Sequence, residues 1–355
     1  MKIDQLTGLR FVAAMAVFLS HLGVDPDTSM LGRIFAEGYV GVSFFFVLSG
    51  FVLSHSYAER LRHGEIRRRT YVLLRFSRLA PLHVLTALPF ILMTFPEGWK
   101  HVAVGLLNLA FLQSWIPHSS VYFSLNAPSW SLSNEMFFYS AFLFLAFLPF
   151  KRLIHFFALL ACLVTLTAAV VHFTVPSLDL FGSRSMSHWL FYIFPGFRLL
   201  EFVAGMLIFE IWSRGFRMPS LAFPLAIALL IAAMSFGYAV PEEFRYSLFY
   251  LPFVCILLFS SLNIEGVMRN LLCSRSMVFL GNASFAFYLV HQPILGQLRA
   301  AGVKDMIGGP GFVAAGLLVV VVVSSLTYMM FERPVERALK RRILGRSRDL
   351  AAAGA

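Results

Sequence analysis

The sequence lacks the material for a soluble catalytic domain. Only 13% of its 355 residues are charged, where ordinary globular domains carry about 25%. A soluble domain needs about 100 residues or more, and no polar block of that length occurs. Cysteine is scarce: Cys162, Cys255 and Cys273 lie far apart with no CxxC, which excludes a disulfide framework and a cysteine metal site. There is no GxSxG elbow, no GxxxxGK[ST] phosphate loop and no HExxH, so three common catalytic devices are absent. No internal repeat is visible, and the repeat signature of many secondary transporters is therefore missing.

What the chain has is one apolar run after another. Runs of about 20 residues cross a bilayer core, and ten are read at 6–24, 38–57, 79–95, 128–149, 153–175, 193–212, 219–238, 246–263, 277–298 and 311–331. Residues 101–116 are also apolar, but as a helix they reach only about 24 Å against a core of about 30 Å. Counting them as a crossing would put the basic C-terminal tail and the basic stretch 60–78 on opposite sides, against the positive-inside rule. The expected fold is an all-α polytopic membrane protein with ten transmembrane helices, one short re-entrant or interfacial segment at 101–116, and both termini cytoplasmic. Residues 1–340 form the transmembrane domain and 341–355 a basic, disordered cytoplasmic tail. The net charge of +11 then belongs to inner loops rather than to a nucleic-acid surface. The first run contains Arg10 and His21 and no clear cleavage site, so it is expected to be an uncleaved span, not a signal peptide.

Charge inside such runs is costly, about 2.5–3.5 kcal/mol at the bilayer centre on the mildest scale, which makes intramembrane ionisable residues functional candidates. Residues 7–22, TGLRFVAAMAVFLSHL, carry Arg10 and His21. Their spacing is almost three helical turns, so they share one face about 16 Å apart. His21 is either a polar residue bonded to a neighbouring helix or a general base, since a neutral imidazole can take a hydroxyl proton at neutral pH. An HX4D motif is absent, because Asp25 falls one residue short. Arg75 and Arg78, in RFSR, lie on one helix face. They either hold a phosphate bidentately or anchor to lipid headgroups, as the arginines of 60–69 do. Glu135 lies in NAPSWSLSNEMFFY, where Pro128 and the serines mark a helix start and Trp130 reads as an interface aromatic. It orients His21, holds a substrate hydroxyl or pairs with an arginine. Arg198 and Glu201 in FRLLEFVAG either pair with each other or shape the outer cavity, and His291 in YLVHQPI, two residues before Pro293, is a structural hydrogen-bonder or lines the acceptor path. Trp130, Ser131, Arg198, Glu201 and His291 are thus the substrate-side candidates. Gly41, Ser43, Ser49 and Gly50 in GVSFFFVLSGF read as close-packing positions. His83, His155 and His172 have no evident partner.

Taken in order, LTGLRFVAAMAVFLSH, GVSFFFVLSGFVLS, RFSR, NAPSWSLSNEMFFY, FRLLEFVAGM and ASFAFYLVHQPI resemble the acyltransferase-3 family of integral membrane O-acyltransferases. The first fits that family's R-x10-H pattern at Arg10 and His21. One departure stands at Asn134, where an apolar residue is expected before Glu135. The resemblance implies transfer of an acyl group, usually acetyl from acetyl-CoA, to a hydroxyl of a carbohydrate or other acceptor. It also implies His21 as the catalytic residue, Arg10 as its essential partner, and Arg75 and Arg78 as coenzyme A contacts.

The expected layout has acetyl-CoA entering from the cytoplasm at the arginine pair and the acceptor entering from the other side, with His21 deprotonating its hydroxyl and Glu135 or a nearby donor supporting charge. A covalent acyl-histidine relay is a variant. No metal is expected. The partners implied are acyl-CoA, a glycan such as exopolysaccharide or O-antigen, membrane lipids and glycan-assembly proteins, in the plasma membrane (the bacterial inner membrane); a glycosylated small molecule or lipid is the other acceptor class. The competing function is a transporter or flippase for a sugar, lipid or organic acid.

Overall fold

A computed structural model describes residues 3–25, 29–94, 96, 98–174 and 185–352, and among these the chain is helical with no strand. The main helices are α1 (Asp4–Ser20), α2 (Met30–Ala36), α3 (Val40–Leu53), α4 (Arg68–Thr94), α5 (Trp99–Leu109), α6 (Trp130–Leu145), α7 (Phe150–Thr174), α8 (Pro195–Ser213), α9 (Ala222–Phe236), α10 (Leu251–Ser261), α11 (Gly266–Leu272), α12 (Arg275–Ala300), α13 (Val303–Thr327) and α14 (Arg333–Ala352). Eight helical stretches among the described residues are long and apolar enough to cross a membrane. Two further helices are shorter, α1 with 17 residues and α6 with 16. Of the stretch 341–355, expected to be a disordered tail, residues 341–352 continue α14 and 353–355 lie outside the described residues.

The first helix ends earlier than its apolar run. His21 is its C-terminal cap, and the chain turns away through Gly23 at φ 67°. A left-handed residue just past a helix is the usual stop, and glycine takes it without steric cost. His21 therefore sits at the end of α1 rather than inside it.

Close backbone approach packs α1 into the bundle against α3 and α12. A Cβ added at Gly41 would collide with the Ala13 carbonyl, and one at Gly281 with the Thr7 carbonyl. The α3–α8 crossing uses the same device in both directions: Gly50 faces the Phe202 carbonyl and Gly205 the Val47 carbonyl. Small residues at such crossings gain van der Waals contact where lipid offers no hydrophobic drive. Gly41 and Gly50 thus occupy close-packing positions. Ser43 instead accepts a hydrogen bond from Arg198, and Ser49 lines a cavity.

The segment after α4 has its own polar fastening. Helix α5 has 11 residues, and the irregular chain behind it is tied to the start of α6. Gln113 donates to the Ser129 carbonyl (3.0 Å), Ser114 to the Trp130 carbonyl (2.7 Å) and Ser133 to the Phe111 carbonyl (2.6 Å). Irregular backbone at membrane depth is tolerated only when buried in protein or lining a cavity, and these bonds bury it. Asn134 donates to the Ile193 carbonyl at 3.0 Å, which explains an amide where an apolar residue is expected.

Four wide helical turns interrupt the helices, at Ser54–Ala58, Trp189–Ile193, Arg245–Phe249 and Tyr328–Glu332. Single turns of this kind occur often at functional sites. Here they carry Tyr57, Tyr192, Tyr246 and Glu332, all of which bear on the site.

Candidate active site

Three cavities follow one another beside α1. The arginine cavity, about 130 Å³, is lined by Arg10, Ser49, Arg75, Arg78, Glu135 and Tyr139 among others. A neck of about 40 Å³ shares Arg10, Phe45, Glu135 and Phe285 with it, and adds Ser131, Leu132, Ser284 and Tyr288. The neck in turn shares Val42 and Tyr288 with the histidine cavity, about 540 Å³, which His21, Trp130, His188, Tyr192, Tyr246 and His291 help to line. One helix thus contributes Arg10 to one end of the series and His21 to the other.

The arginine cavity brings together four of the expected site residues. Tyr139, one helical turn beyond Glu135, donates its hydroxyl to the Glu135 carboxylate. The two expected anion binders differ in their commitments. Arg78 pairs with Glu332 at 2.5 Å and Glu336 at 2.9 Å. Arg75 donates to the Tyr57 hydroxyl at 2.8 Å and lies over that ring at 4.8 Å. Its buried Nε has no hydrogen-bond partner among the described residues.

Helix chemistry fixes the state of His21 at the other end. The last carbonyls of a helix have no intrahelical donor. The His21 backbone N–H bonds to the Phe18 carbonyl, and the Val17 carbonyl is met instead by the Ser20 hydroxyl (2.8 Å) and His21 Nδ1 (2.8 Å). A carbonyl can only accept, so Nδ1 carries the proton and, in the neutral ring, Nε2 carries the lone pair. In that tautomer the basic nitrogen is Nε2. Arg299 of α12 donates to the His21 carbonyl, fastening the turn from outside.

His291 comes to His21 from α12. Its Nε2 lies 3.4 Å from His21 Nδ1, with the ring centroids 5.0 Å apart, and its own Nδ1 is 2.5 Å from the Tyr288 carbonyl. Pro293 removes the backbone donor that would meet the Leu289 carbonyl; Asn126 supplies one from its side chain at 2.9 Å.

The remaining expected residues fall in two groups. Ser131 lines the neck and Trp130 the histidine cavity. Trp130 does not present its ring to the surface as an interface aromatic would: it is 4% exposed and packed against Phe46 and Tyr192. Arg198 and Glu201 pair with each other at 3.1 Å, both fully buried. Arg198 also donates to Ser43 and Ser247 and lies over Phe46, so the pair braces α3 against α8 behind the cavity. His83 and His172 have partners that the sequence did not suggest, the Asn108 carbonyl at 3.1 Å and Glu243 at 2.5 Å. Glu332, Tyr57, Arg299 and Tyr139 each bond a candidate residue and are not singled out by the sequence. Only Tyr139 carried a local signal, its i,i+4 spacing from Glu135. No group of three or more His, Cys, Asp or Glu among the described residues is arranged to hold a metal ion.

The sequence pattern of a family described as an acyltransferase domain matches residues 3–329. The chain belongs to the acyltransferase-3 family. It is therefore an acyltransferase, which decides between enzyme and transporter. As an acyltransferase-3 protein it is similar to acyltransferase MdmB of Streptomyces mycarofaciens, 30% identical over 96% of this chain and 93% of that protein. It is also similar to the exopolysaccharide production protein ExoZ of Rhizobium meliloti (strain 1021), 28% identical over 86% of this chain and 92% of the relative. A third relative is the putative peptidoglycan O-acetyltransferase YrhL of Bacillus subtilis (strain 168), 24% identical over 96% of this chain and 56% of that protein. No solved structure matches the chain.

Proposed function

We propose that this acyltransferase moves an acetyl group from acetyl-CoA to a hydroxyl of a carbohydrate, with His21 as general base. The observation that carries the reading is the series of cavities, with three arginines at one end of α1 and an imidazole at the other. Counting α1 and α6 with the eight long stretches gives ten crossings. Helix α5, with 11 residues and about 16 Å long, is then the short segment that does not cross. Ten crossings return the C-terminus to the side of the N-terminus, and the basic stretches at 60–78 and 333–348 make that side the cytoplasm. The membrane is the plasma membrane, the bacterial inner membrane.

In this arrangement the phosphates of acetyl-CoA meet the arginine cavity. Arg75 offers an unpartnered buried donor there, while Arg78 is held by two carboxylates and shapes the wall. Arg10 and Glu135 lie where the donor arm enters the neck. The acceptor occupies the histidine cavity, whose Trp130, Tyr192 and Tyr246 offer flat faces and whose imidazoles and hydroxyls offer hydrogen bonds, a mixture suited to a sugar ring. His21 Nε2 takes the hydroxyl proton as the oxygen bonds to the thioester carbonyl carbon. The carbon–sulfur bond then breaks, and the thiolate recovers the proton from the imidazolium. The acceptor is a glycan such as exopolysaccharide or O-antigen, with glycosylated small molecules as the other acceptor class.

His21→Ala tests the reading. In purified protein it should abolish acceptor-dependent release of free coenzyme A from acetyl-CoA while leaving the protein monodisperse. Release at the native rate would overturn the assignment of His21 as base.

A further inference from the structure

A base that becomes charged during a reaction needs its ring held, and its other nitrogen met by an acceptor. In the familiar triads a third group does this. The sequence offers Glu135 for that part, beside holding a substrate hydroxyl or pairing with an arginine. Glu135, however, lines the arginine cavity and the neck, whereas His21 lines the histidine cavity. The group that reaches His21 Nδ1 from another helix is His291.

We infer that His291 is a positioning residue for His21: its Nε2 serves as a second acceptor for His21 Nδ1–H and holds the ring with Nε2 towards the acceptor hydroxyl. The inference rests on the proposed role of His21 as base. Three observations carry it. The Tyr288 carbonyl at 2.5 Å takes the Nδ1 proton of His291, which in the neutral ring leaves the lone pair on Nε2, the nitrogen 3.4 Å from His21 Nδ1. The ring of His291 is held in place, being 1% exposed and set edge-on to His21 at an interplanar angle of 65°. Its helix is fixed on both sides of the contact, by Asn126 on the Leu289 carbonyl and by Arg299 on the His21 carbonyl. Val17 is the nearer acceptor at 2.8 Å, but it belongs to the same turn as His21 and moves with it. His291 alone of the two ties the imidazole to a second helix. When His21 takes up the hydroxyl proton at Nε2, its Nδ1–H faces the Val17 carbonyl, the Ser20 hydroxyl at 3.3 Å and, from the second helix, Nε2 of a neutral His291 ring.

The test separates this role from simple packing. His291→Asn places an amide donor near the Tyr288 carbonyl but does not reach His21. His291→Gln carries an acceptor oxygen to the distance of Nε2. Orientation errors of about 1 Å cost roughly 100-fold in rate, so His291→Asn should lower kcat by about that factor with the KM for acetyl-CoA unmoved. His291→Gln should recover at least about tenfold of the loss, since it restores the acceptor that orients the base. Equal activity in the Asn and Gln variants, or a loss confined to KM, would overturn the inference. His21→Ala, measured alongside, keeps the two claims apart. An active His21→Ala enzyme removes the proposed base itself, whereas an inactive one beside a fully active His291→Asn enzyme removes only the role given to His291.

Discussion

The arginine pair read from the sequence as one anion clamp is divided by the structure, and the division predicts different outcomes for its two members. Arg78 faces Glu332, whose side chain is 3% exposed, at 2.5 Å, and Glu336, 38% exposed, at 2.9 Å. Removing one partner of a buried pair leaves an uncompensated charge and costs about 3–5 kcal/mol. The exposed Glu336 contact adds at most about 1 kcal/mol. Arg78→Ala should therefore destabilise the protein by about 3–5 kcal/mol, read as a large drop in melting temperature in detergent. Replacing the whole pair with apolar groups of similar size is often neutral, so Arg78→Met combined with Glu332→Leu should regain most of that stability. Among the described residues Arg75 makes no ion pair of this kind. Losing the phosphate contact proposed for it should cost about 1.5–3 kcal/mol of binding, as for a hydrogen bond to a charged group, and raise the KM for acetyl-CoA by about 10–150-fold with little change in melting temperature. The assays are thermal unfolding and steady-state release of coenzyme A on the same preparations. A stable Arg78→Ala protein whose only defect is a raised KM would refute the reasoning and make Arg78 the phosphate ligand.

Other outcomes follow from the same geometry. Arg299→Met frees the carbonyl end of the His21 turn and should lower kcat by up to about 100-fold through misplacement of the proposed base; an unchanged kcat would show the turn holds without it. Gly205→Ala sets a methyl against the Val47 carbonyl, and overpacking against a rigid neighbour costs about 1–3 kcal/mol or more, to be read as lost thermal stability at an unchanged KM. The neck of about 40 Å³ is walled by Leu132 and Phe285, and a methylene that does not fit a pocket costs about 10–200-fold in kcat/KM. Butyryl-CoA should therefore be a poor donor for the native protein, and Leu132→Ala should narrow its deficit relative to acetyl-CoA.

The sequence carried the helical membrane class, the extent of most apolar runs and the four charged residues that line the arginine cavity, because each left a local trace. Charge in an apolar run is visible without a partner, as with Arg10, His21 and Glu135. Glycine in a run signals close approach, as at Gly41 and Gly50. The pairings were not legible, because they join positions far apart in the chain: Arg78 with Glu332, His21 with His291 and Arg299, Asn134 with the Ile193 carbonyl. Nor did the sequence foretell the wide turns. Such a turn shifts every later side chain around the helix, so a regular 3.6-residue period cannot report which face Tyr57, Tyr192, Tyr246 or Glu332 occupies. His21 shows the consequence for function most clearly. Its position in an apolar run marked it as a candidate, but the role proposed for it rests on an orphan carbonyl at the end of α1 and on a second helix that meets its ring. Those are properties of a helix end and a tertiary contact, and the period of a sequence contains neither.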